Sequence, residues 1–570
     1  MKKLISLILV FTLTAGAVII GSAAADGPLR FAVASDLHYN LPEEELTVTN
    51  EELLGDSDYW FVNRRAALEN ESGFIIDEFL KECAEDDSIQ FVLIPGDLAD
   101  NGKVIVEEHE NVAEKLKAFE EESGKPVYVI NGNHDASLNE GDTSFDDFRR
   151  IYHDFGYDEA LDTLEGTCSY TADLNSEYRL IALDSCSKTK STEDGMTLRK
   201  IQWVLDSAKK AKADGKYPVL MMHHNILDHL PVQRVLSHDF IIRFHYTTAE
   251  LFADSGIKIV LTGHEHCNDA TSFTSAAGNK IYDFTTTSLT MYPVAYRVFS
   301  FSDESVDYET RNIESIDTEA LTATVAGYPD ELVELMSENF GEYARQFFKA
   351  GIQYRLSLSL TMEKIGIDEG EAFYNLVNTA VGGLTDILAA PLYGDGGLQE
   401  QAKEYNVDLP DSGYENAWDL ATELVGWHYK GSEHFPLDST EVTLLLKIVD
   451  YILLKVLSTV NDEVFLKDLN ALLENVGFSD GLCQSITKNI TSVAGPVTVG
   501  EYVLLGIATP IIVDFTNDDD VDDNNGSIPG YGADSAQGNI SGISGSFLSV
   551  IMKIASFFTD FIRLFIRIFA

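Results

Sequence analysis

Five short apolar runs in the first half of the chain are each followed at once by acidic, histidine or asparagine side chains. The runs are Leu29–Ala34, Phe91–Ile94, Val127–Ile130, Pro218–Met222 and Ile257–Leu261. Amphipathic stretches separate them, and this alternation predicts an α/β fold whose strands are buried between helices. Because the carboxyl ends of parallel strands lie along one edge of a sheet, we expect the polar side chains after the runs to meet in space.

The side chains expected at this edge are oxygen and nitrogen donors. They are Asp36 and His38, Asp97 and Asp100, Asn133 and His134, His223 and His224, and His264 and His266. Donors of this kind suit Zn²⁺, Mn²⁺ and Fe²⁺. They are too many for one ion, whereas a shared carboxylate can hold two divalent ions about 3.5–4 Å apart, as in sites that hydrolyse phosphoesters.

The motifs along residues 29–300 read, in order, DxH, GDxxD, GNHD, a histidine after a strand, and GHxH. This series resembles the calcineurin-like metallophosphoesterases, in an exported branch of that superfamily. The resemblance implies a four-layer α/β/β/α sandwich that holds two divalent ions (Mn, Fe or Zn). The first ion would take Asp36, His38 and His266, the second Asn133, His223 and His264, and Asp97 would bridge them, with His223 favoured over His224.

The resemblance also implies a mechanism and two catalytic residues. A water shared by the ions would lose its proton, and the resulting hydroxide would attack phosphorus in line. His134 would stabilise charge on the phosphoryl oxygens and act as an acid on the leaving-group side. Asp100 would orient the His134 ring through a carboxylate–imidazole contact. The expected enzyme is a metal-dependent phosphoesterase acting on phosphodiesters or phosphomonoesters.

The pattern changes beyond the last of these motifs. Lys280–Thr286, Ala295–Ser302 and Ser305–Arg311 predict further strands, read as antiparallel. From Pro329 onward the apolar period is helical, beginning with one long helix over Asp330–Ala350. We therefore predict a phosphoesterase domain over residues 26–315 and an all-α unit over residues 316–515.

The last part of the chain predicts a tether and a helix. Residues 516–542 are rich in Asp, Asn, Gly and Ser, which is typical of a flexible linker. Residues 543–570 form an amphipathic pattern with a wide apolar face. We interpret this helix as lying on a membrane surface, and the alternative is a helix docked on the protein's own core.

The N-terminus and the net charge bear on location and partners. Lys2 and Lys3 precede the uncharged run Leu4–Ile20, and small residues before Asp26 offer a cleavage site. Residues 1–25 therefore predict an export signal and an extracellular or cell-surface protein, with an uncleaved membrane anchor as the alternative. Lys and Arg number 40 against 93 Asp and Glu, a formal net charge of −53, which argues against a nucleic acid as partner.

Two other functions stay open at the level of sequence. The domain could be catalytically idle, in a surface binding or structural protein. The chain could also be a lipid-phosphate hydrolase whose C-terminal helix gives access to membrane substrates. Arg64, Arg65 and Arg243 are candidates to clamp a phosphate, although exposed arginines are usually solvated surface charges.

Overall fold

Two β-sheets and a helical region make up the part of the protein that the structure describes. The computed structural model describes residues 28–47, 62–187, 194–229, 240–359, 378, 384, 386–432, 436, 438–457 and 522–532. The predicted export signal, the predicted membrane-surface helix and much of the predicted helical unit lie outside these residues.

The strands, numbered in chain order, differ in length from two to eight residues. They are β1 Leu29–Val33, β2 Val92–Ile94, β3 Val127–Val129, β4 Asp162–Thr163, β5 Tyr170–Asp173, β6 Tyr178–Leu183, β7 Tyr217–Met222, β8 Ile259–Thr262, β9 Asp269–Thr274, β10 Lys280–Thr285, β11 Ala295–Phe301, β12 Ser305–Asn312 and β13 Asn525–Pro529.

The helices among the described residues are numbered in the same way. They are α1 Ser72–Glu85, α2 Val106–Ser123, α3 Phe145–Ile151, α4 Leu198–Ala213, α5 His245–Ser255, α6 Thr318–Thr324, α7 Asp330–Glu338, α8 Phe340–Ser359, α9 Leu398–Lys403, α10 Ala417–Tyr429 and α11 Thr440–Leu457, with a π-helical turn at His153–Tyr157.

The apolar strands divide between two sheets instead of forming the single parallel sheet that the pattern first suggested. The first sheet has the order β13-β12-β11-β1-β2-β3, and the second has the order β4-β5-β6-β7-β8-β10-β9. β1, β2 and β3 are parallel to one another, as are β6, β7, β8 and β10. The antiparallel strands lie outside these parallel groups, as β11 does beside β1.

Alternating side chains place the sheets face to face. Leu180, Val219 and Leu261 of the second sheet belong to the same buried core as β1, β2 and β3. The intervening side chains, such as Ile181 and Leu220, pack instead with helices α4 and α5. Because successive side chains in a strand point to opposite faces, the second sheet lies between the first sheet and these two helices.

Helices α1 and α2 cover the other side of the first sheet. Ile75 and Phe79 of α1 and Val112 and Leu116 of α2 are buried in the core of that sheet. The Phe79 ring meets Tyr296 of β11 edge-on, with 5.0 Å between ring centroids. The order of layers is therefore α/β/β/α, and the predicted sandwich with a helical region after it is confirmed.

The helical region packs directly on the sandwich. Tyr328 and Tyr343 both donate to the buried Glu71 carboxylate just before α1, each at 2.6 Å. The single helix predicted over residues 330–350 is two helices, α7 and α8, which meet at Asn339. The Asn339 side chain accepts the Glu342 backbone N–H at 3.1 Å, so this asparagine starts a new helix.

The described part of the predicted linker is a strand. β13 pairs antiparallel with β12, from Asn525 opposite Glu309 to Pro529 opposite Ser305. Lys258 donates to the Gly530 carbonyl at 2.9 Å, which holds the end of this segment against the second sheet. The polar composition that suggested a flexible linker suits an edge strand as well, because one side of such a strand faces water.

None of the described helices is both long enough and apolar enough to cross a bilayer.

Candidate metal centre

Sharp turns after five strands set the positions of the predicted ligands. The loops after β1, β2 and β8 contain non-glycine residues with left-handed backbone. They are Asp36 (φ 50°), His38 (φ 39°), Asp97 (φ 51°), His264 (φ 70°) and His266 (φ 62°). Such conformations cost about 1–3 kcal/mol each and persist only where the surroundings impose them. All five residues are predicted metal ligands, so the strain is concentrated at the site.

Three of the predicted ligands form a first group at the end of β1. His38 Nε2 lies 3.1 Å from His266 Nε2. Asp36 Oδ1 lies 3.2 Å from His266 Nε2 and 3.8 Å from His38 Nε2. Two imidazole nitrogens and a carboxylate oxygen converge here, and together they could hold one divalent ion.

The other predicted ligands form a second group beside the first. His223 Nε2 lies 2.9 Å from Asn133 Oδ1 and 3.1 Å from His264 Nδ1. It also lies 3.2 Å from Asp97 Oδ2. These four side chains are buried, and Asp97, His223 and His264 form a second set that could hold an ion.

Asp97 lies between the two groups. Its Oδ2 atom is 3.8 Å from His38 Nε2 of the first group and 3.2 Å from His223 Nε2 of the second. Asp97 Oδ2 and Asp36 Oδ1 are both buried without a hydrogen-bond partner. A buried carboxylate oxygen left unpaired is costly, and a divalent cation would satisfy both atoms. The donor set therefore fits divalent metal ions, and Asp97 lies between the two groups that could hold them.

The adjacent histidines after β7 have different surroundings. His223 Nδ1 donates to the Pro95 carbonyl, 3.0 Å away, which directs Nε2 into the second group. Because a carbonyl only accepts, this Nδ1 carries the proton. His224 Nδ1 instead lies 2.9 Å from Ser185 Oγ. The geometry thus groups His223 with the other predicted ligands and places His224 behind them.

Burial and neighbouring charges shift the pKa values of the predicted ligands. Burial alone would raise the pKa of Asp97, but the imidazole of His223 and its neighbours hold it well below the usual value. Burial would likewise lower the pKa of His223, yet Asp97 and Asp36 raise it to about 9. Burial, and after it the positive charge of neighbouring His224, lowers the pKa of His264 well below its usual value. His264 therefore keeps a neutral ring, the form that binds metals.

Glycines leave room for the carboxylates. A Cβ added to Gly132 would lie 2.7 Å from Asp97 Cγ, and one added to Gly263 would also meet Asp36. Gly132 is the first residue of the GNHD motif, and its backbone N–H donates to Asp135 Oδ2 at 2.7 Å. The other oxygen of Asp135 accepts the Leu98 N–H at 3.0 Å. The last residue of GNHD, which the sequence analysis did not single out, thus ties two ligand loops together.

Asp100 contacts His134 through a different group than the resemblance implied. The backbone carbonyl of Asp100 accepts from His134 Nδ1 at 2.7 Å, whereas the nearest carboxylate oxygen is 3.9 Å from that nitrogen. The carboxylate Oδ1 lies 2.9 Å from His38 Nδ1. Asp100 therefore orients a predicted ligand with its side chain and the predicted acid with its main chain.

The predicted acid remains accessible. The His134 side chain is 33% exposed, against 2% for His38 and Asp100. Its backbone N–H donates to Asp97 Oδ1 at 2.7 Å, which fixes His134 relative to the carboxylate between the two groups. Since Nδ1 donates its hydrogen bond to the Asp100 carbonyl, Nε2 is the ring nitrogen available to a substrate.

The three candidate arginines occupy different surroundings. Arg65 forms a two-pronged ion pair with the carboxylate of Asp100. Arg243 pairs with Asp194 at 2.9 Å and its side chain is 63% exposed. Arg64 is exposed. The structure thus brings only Arg65 into contact with the predicted site residues.

Sequence comparison identifies the domain that carries these residues. Residues 29–268 match the family model of the calcineurin-like phosphoesterases. This segment is a calcineurin-like phosphoesterase domain. The predicted family and the prediction of a phosphoester hydrolase are confirmed by this match. Comparison with curated proteins gave no match.

Several solved structures resemble the chain that carries this phosphoesterase domain. A dimetal phosphatase from Danio rerio is 11% identical, with 50% of this chain and 97% of that chain covered and a TM-score of 0.36. The purple acid phosphatase from yellow lupin seeds is 10% identical, with 50% and 52% covered and a TM-score of 0.32. The NAD nucleotidase of Haemophilus influenzae is 12% identical, with 60% and 63% covered and a TM-score of 0.29.

Proposed function

We propose that the protein is a binuclear metal-dependent phosphoester hydrolase that acts on phosphodiesters or phosphomonoesters. The observation that carries the proposal is the position of Asp97 Oδ2, a buried oxygen without a hydrogen-bond partner that has a predicted ligand group on each side. Two divalent ions bound there would supply Lewis acidity and a water of lowered pKa.

The protein's own side chains have distinct roles in the proposed reaction. With both ring nitrogens protonated, His134 donates its Nε2 proton to the leaving-group oxygen and keeps its Nδ1 proton, which is hydrogen-bonded to the Asp100 carbonyl. Asp100 holds the His38 ring in the orientation that presents Nε2 to the first group. Asn133 contributes a neutral oxygen, which limits the negative charge that an incoming phosphate meets.

Export to the cell exterior, and attachment to a membrane surface, are part of the proposal. They rest on the sequence patterns of residues 1–25 and 543–570 alone. The rival lipid-phosphate function makes a separate prediction. Removing residues 543–570 should lower hydrolysis of phosphate esters in vesicles and leave hydrolysis of soluble esters unchanged.

The proposal is tested by metal content and turnover of the full chain. We expect about two transition ions per chain after supply of Mn²⁺ or Zn²⁺, and hydrolysis of p-nitrophenyl phosphate or bis(p-nitrophenyl) phosphate. Asp97→Asn should abolish binding of the ion pair. His134→Gln should keep the metal and lower kcat about 10²–10⁴-fold, the usual contribution of a general acid.

A histidine away from the site serves as the control. His153 is exposed and pairs with Asp154, so His153→Gln should match the wild-type protein. Metal binding without turnover of either ester would favour the idle-domain alternative. Unchanged turnover in both Asp97→Asn and His134→Gln would show that the assigned mechanism is wrong.

A further inference from the structure

A tight turn before α1 presents Arg65 to the candidate metal centre. Asn63 Oδ1 accepts the backbone N–H groups of Arg65 and Ala67 at 3.0 and 3.2 Å. Asn63 Nδ2 donates to the Ala67 carbonyl at 2.7 Å. Ala66, between them, has a left-handed backbone (φ 59°). One asparagine side chain therefore fixes the shape of the turn from which Arg65 extends.

Both terminal nitrogens of the Arg65 guanidinium donate to the Asp100 carboxylate. Nη1 donates to one carboxylate oxygen and Nη2 to the other, and Nη2 also donates to Glu69 at 3.2 Å. Paired N–H groups on a carboxylate fix its position and plane as well as its charge. The same carboxylate contacts His38, and the carbonyl of the same residue contacts His134. Arg65 thus holds a residue that contacts both histidines.

Helix α8 of the helical region packs closely against this turn. A Cβ added to Gly351 would lie 2.6 Å from Ala66 Cβ and 3.0 Å from the Asn63 carbonyl oxygen. Phe348 and Ile352 of the same helix share a buried cluster with Ala66. Glycine inside a helix costs about 1 kcal/mol relative to alanine, so its presence here fits a contact that tolerates no side chain.

We infer that Arg65 is a positioning residue of the metal centre and that helix α8, through the close approach at Gly351, sets its position. The helical region then contributes to the metal centre of the phosphoesterase, because the sandwich alone would lack the helix that packs against the Arg65 turn. This inference rests on the proposed metal-dependent function. Changes in residues that support a metal ligand typically weaken metal binding about 10–100-fold, and that range is expected here.

The test compares paired substitutions in the full-length protein. Arg65→Lys keeps the charge and loses the two-pronged geometry, and Gly351→Ala displaces the turn. The controls are Arg64→Lys, at the exposed neighbour, and Gly341→Ala, where an added Cβ on the same helix would meet only Asn339 Oδ1, 3.9 Å away. The readouts are Mn²⁺ affinity by calorimetric titration, kcat and KM for bis(p-nitrophenyl) phosphate, and the unfolding temperature.

We expect Arg65→Lys and Gly351→Ala to weaken Mn²⁺ binding about 10–100-fold and to lower kcat more than they change KM. Both controls should bind Mn²⁺ like the wild type. If the wild type binds Mn²⁺ and all four variants bind it equally well, the inference about Arg65 is overturned while the proposed function stands. If Arg65→Lys weakens Mn²⁺ binding and Gly351→Ala does not, the part assigned to α8 is overturned. If the wild type binds neither Mn²⁺ nor Zn²⁺, the proposed function fails and this inference fails with it.

Discussion

Replacing Gly132 by alanine should disable the metal centre while leaving the fold intact. The added Cβ would lie 2.7 Å from Asp97 Cγ, and ordinary contacts begin near 3.4 Å. The added Cβ would also meet the backbone nitrogen of Asp97, so the main chain of Asp97 as well as its carboxylate must move, the latter by at least about 0.7 Å. Gly132 follows β3 closely and cannot retreat without disturbing its hydrogen bond to Asp135. Gly132 is not among the residues with positive φ, so the effect is steric and not conformational.

The size of the effect follows from this displacement. Overpacking of this kind costs about 1–3 kcal/mol in stability. A misplacement approaching 1 Å at reacting groups lowers the rate about 10²-fold. We expect Gly132→Ala to remain folded, with weaker Mn²⁺ binding and kcat reduced about 100-fold.

The assay measures Mn²⁺ content, kcat for an aryl phosphate diester and the unfolding temperature on one preparation. Gly413→Ala is the matched control, because no atom lies within 4 Å of a Cβ added there. Wild-type metal content and turnover in Gly132→Ala would refute the argument that the Asp97 carboxylate must occupy its present position.

Three further changes test the fold around the site. Burial opposes charge on His229, but Asp269 and Asp283 raise its pKa well above the usual value. The contribution of charged His229 to the free energy of unfolding is therefore complete below about pH 6.5 and declines as the pH rises through the raised pKa. His229→Gln should lower the free energy of unfolding by about 3–5 kcal/mol at pH 6 and by less at higher pH, as measured by urea unfolding. Tyr343→Phe removes one of the two tyrosine hydroxyls that donate to the buried Glu71 carboxylate, and it should lower the free energy of unfolding by about 1–3 kcal/mol in the same assay. An unchanged free energy of unfolding would show that this hydrogen bond does not stabilise the fold. A chain ending at residue 521 lacks β13 and should unfold at a lower temperature than one ending at residue 532, whereas equal temperatures would show that the edge strand adds no stability.

The position of the predicted ligands was accessible from sequence because each follows an apolar run directly. Asp36, Asp97 and His223 stand within a few residues of a strand end, and the fold has to bring such ends to a common edge. The division into two sheets was not accessible from those runs alone. Short buried strands look the same in sequence whichever sheet they join, since both faces of each strand are covered.

Contacts between residues distant in sequence account for most of what the sequence could not show. Arg65 and Asp100 are 35 positions apart, and Gly351 meets the Arg65 turn from a different region of the chain. Nothing in the local pattern of either segment indicates its partner. The use of the Asp100 carbonyl for His134 depends on the turn geometry after β2, which composition does not reveal.

The return of the chain through β13 places both ends of the described chain on the side of the sandwich away from the candidate metal centre. Pro529 pairs with Ser305 and Leu29 pairs with Phe301, so both ends of the described chain lie at the start of β1, opposite the edge where the ligands gather. The Tyr531 ring stacks on Tyr217 at the first residue of β7, with 4.9 Å between centroids. Under the proposed attachment to a membrane, an anchor beyond either end would therefore leave the edge that carries the predicted ligands facing away from that membrane.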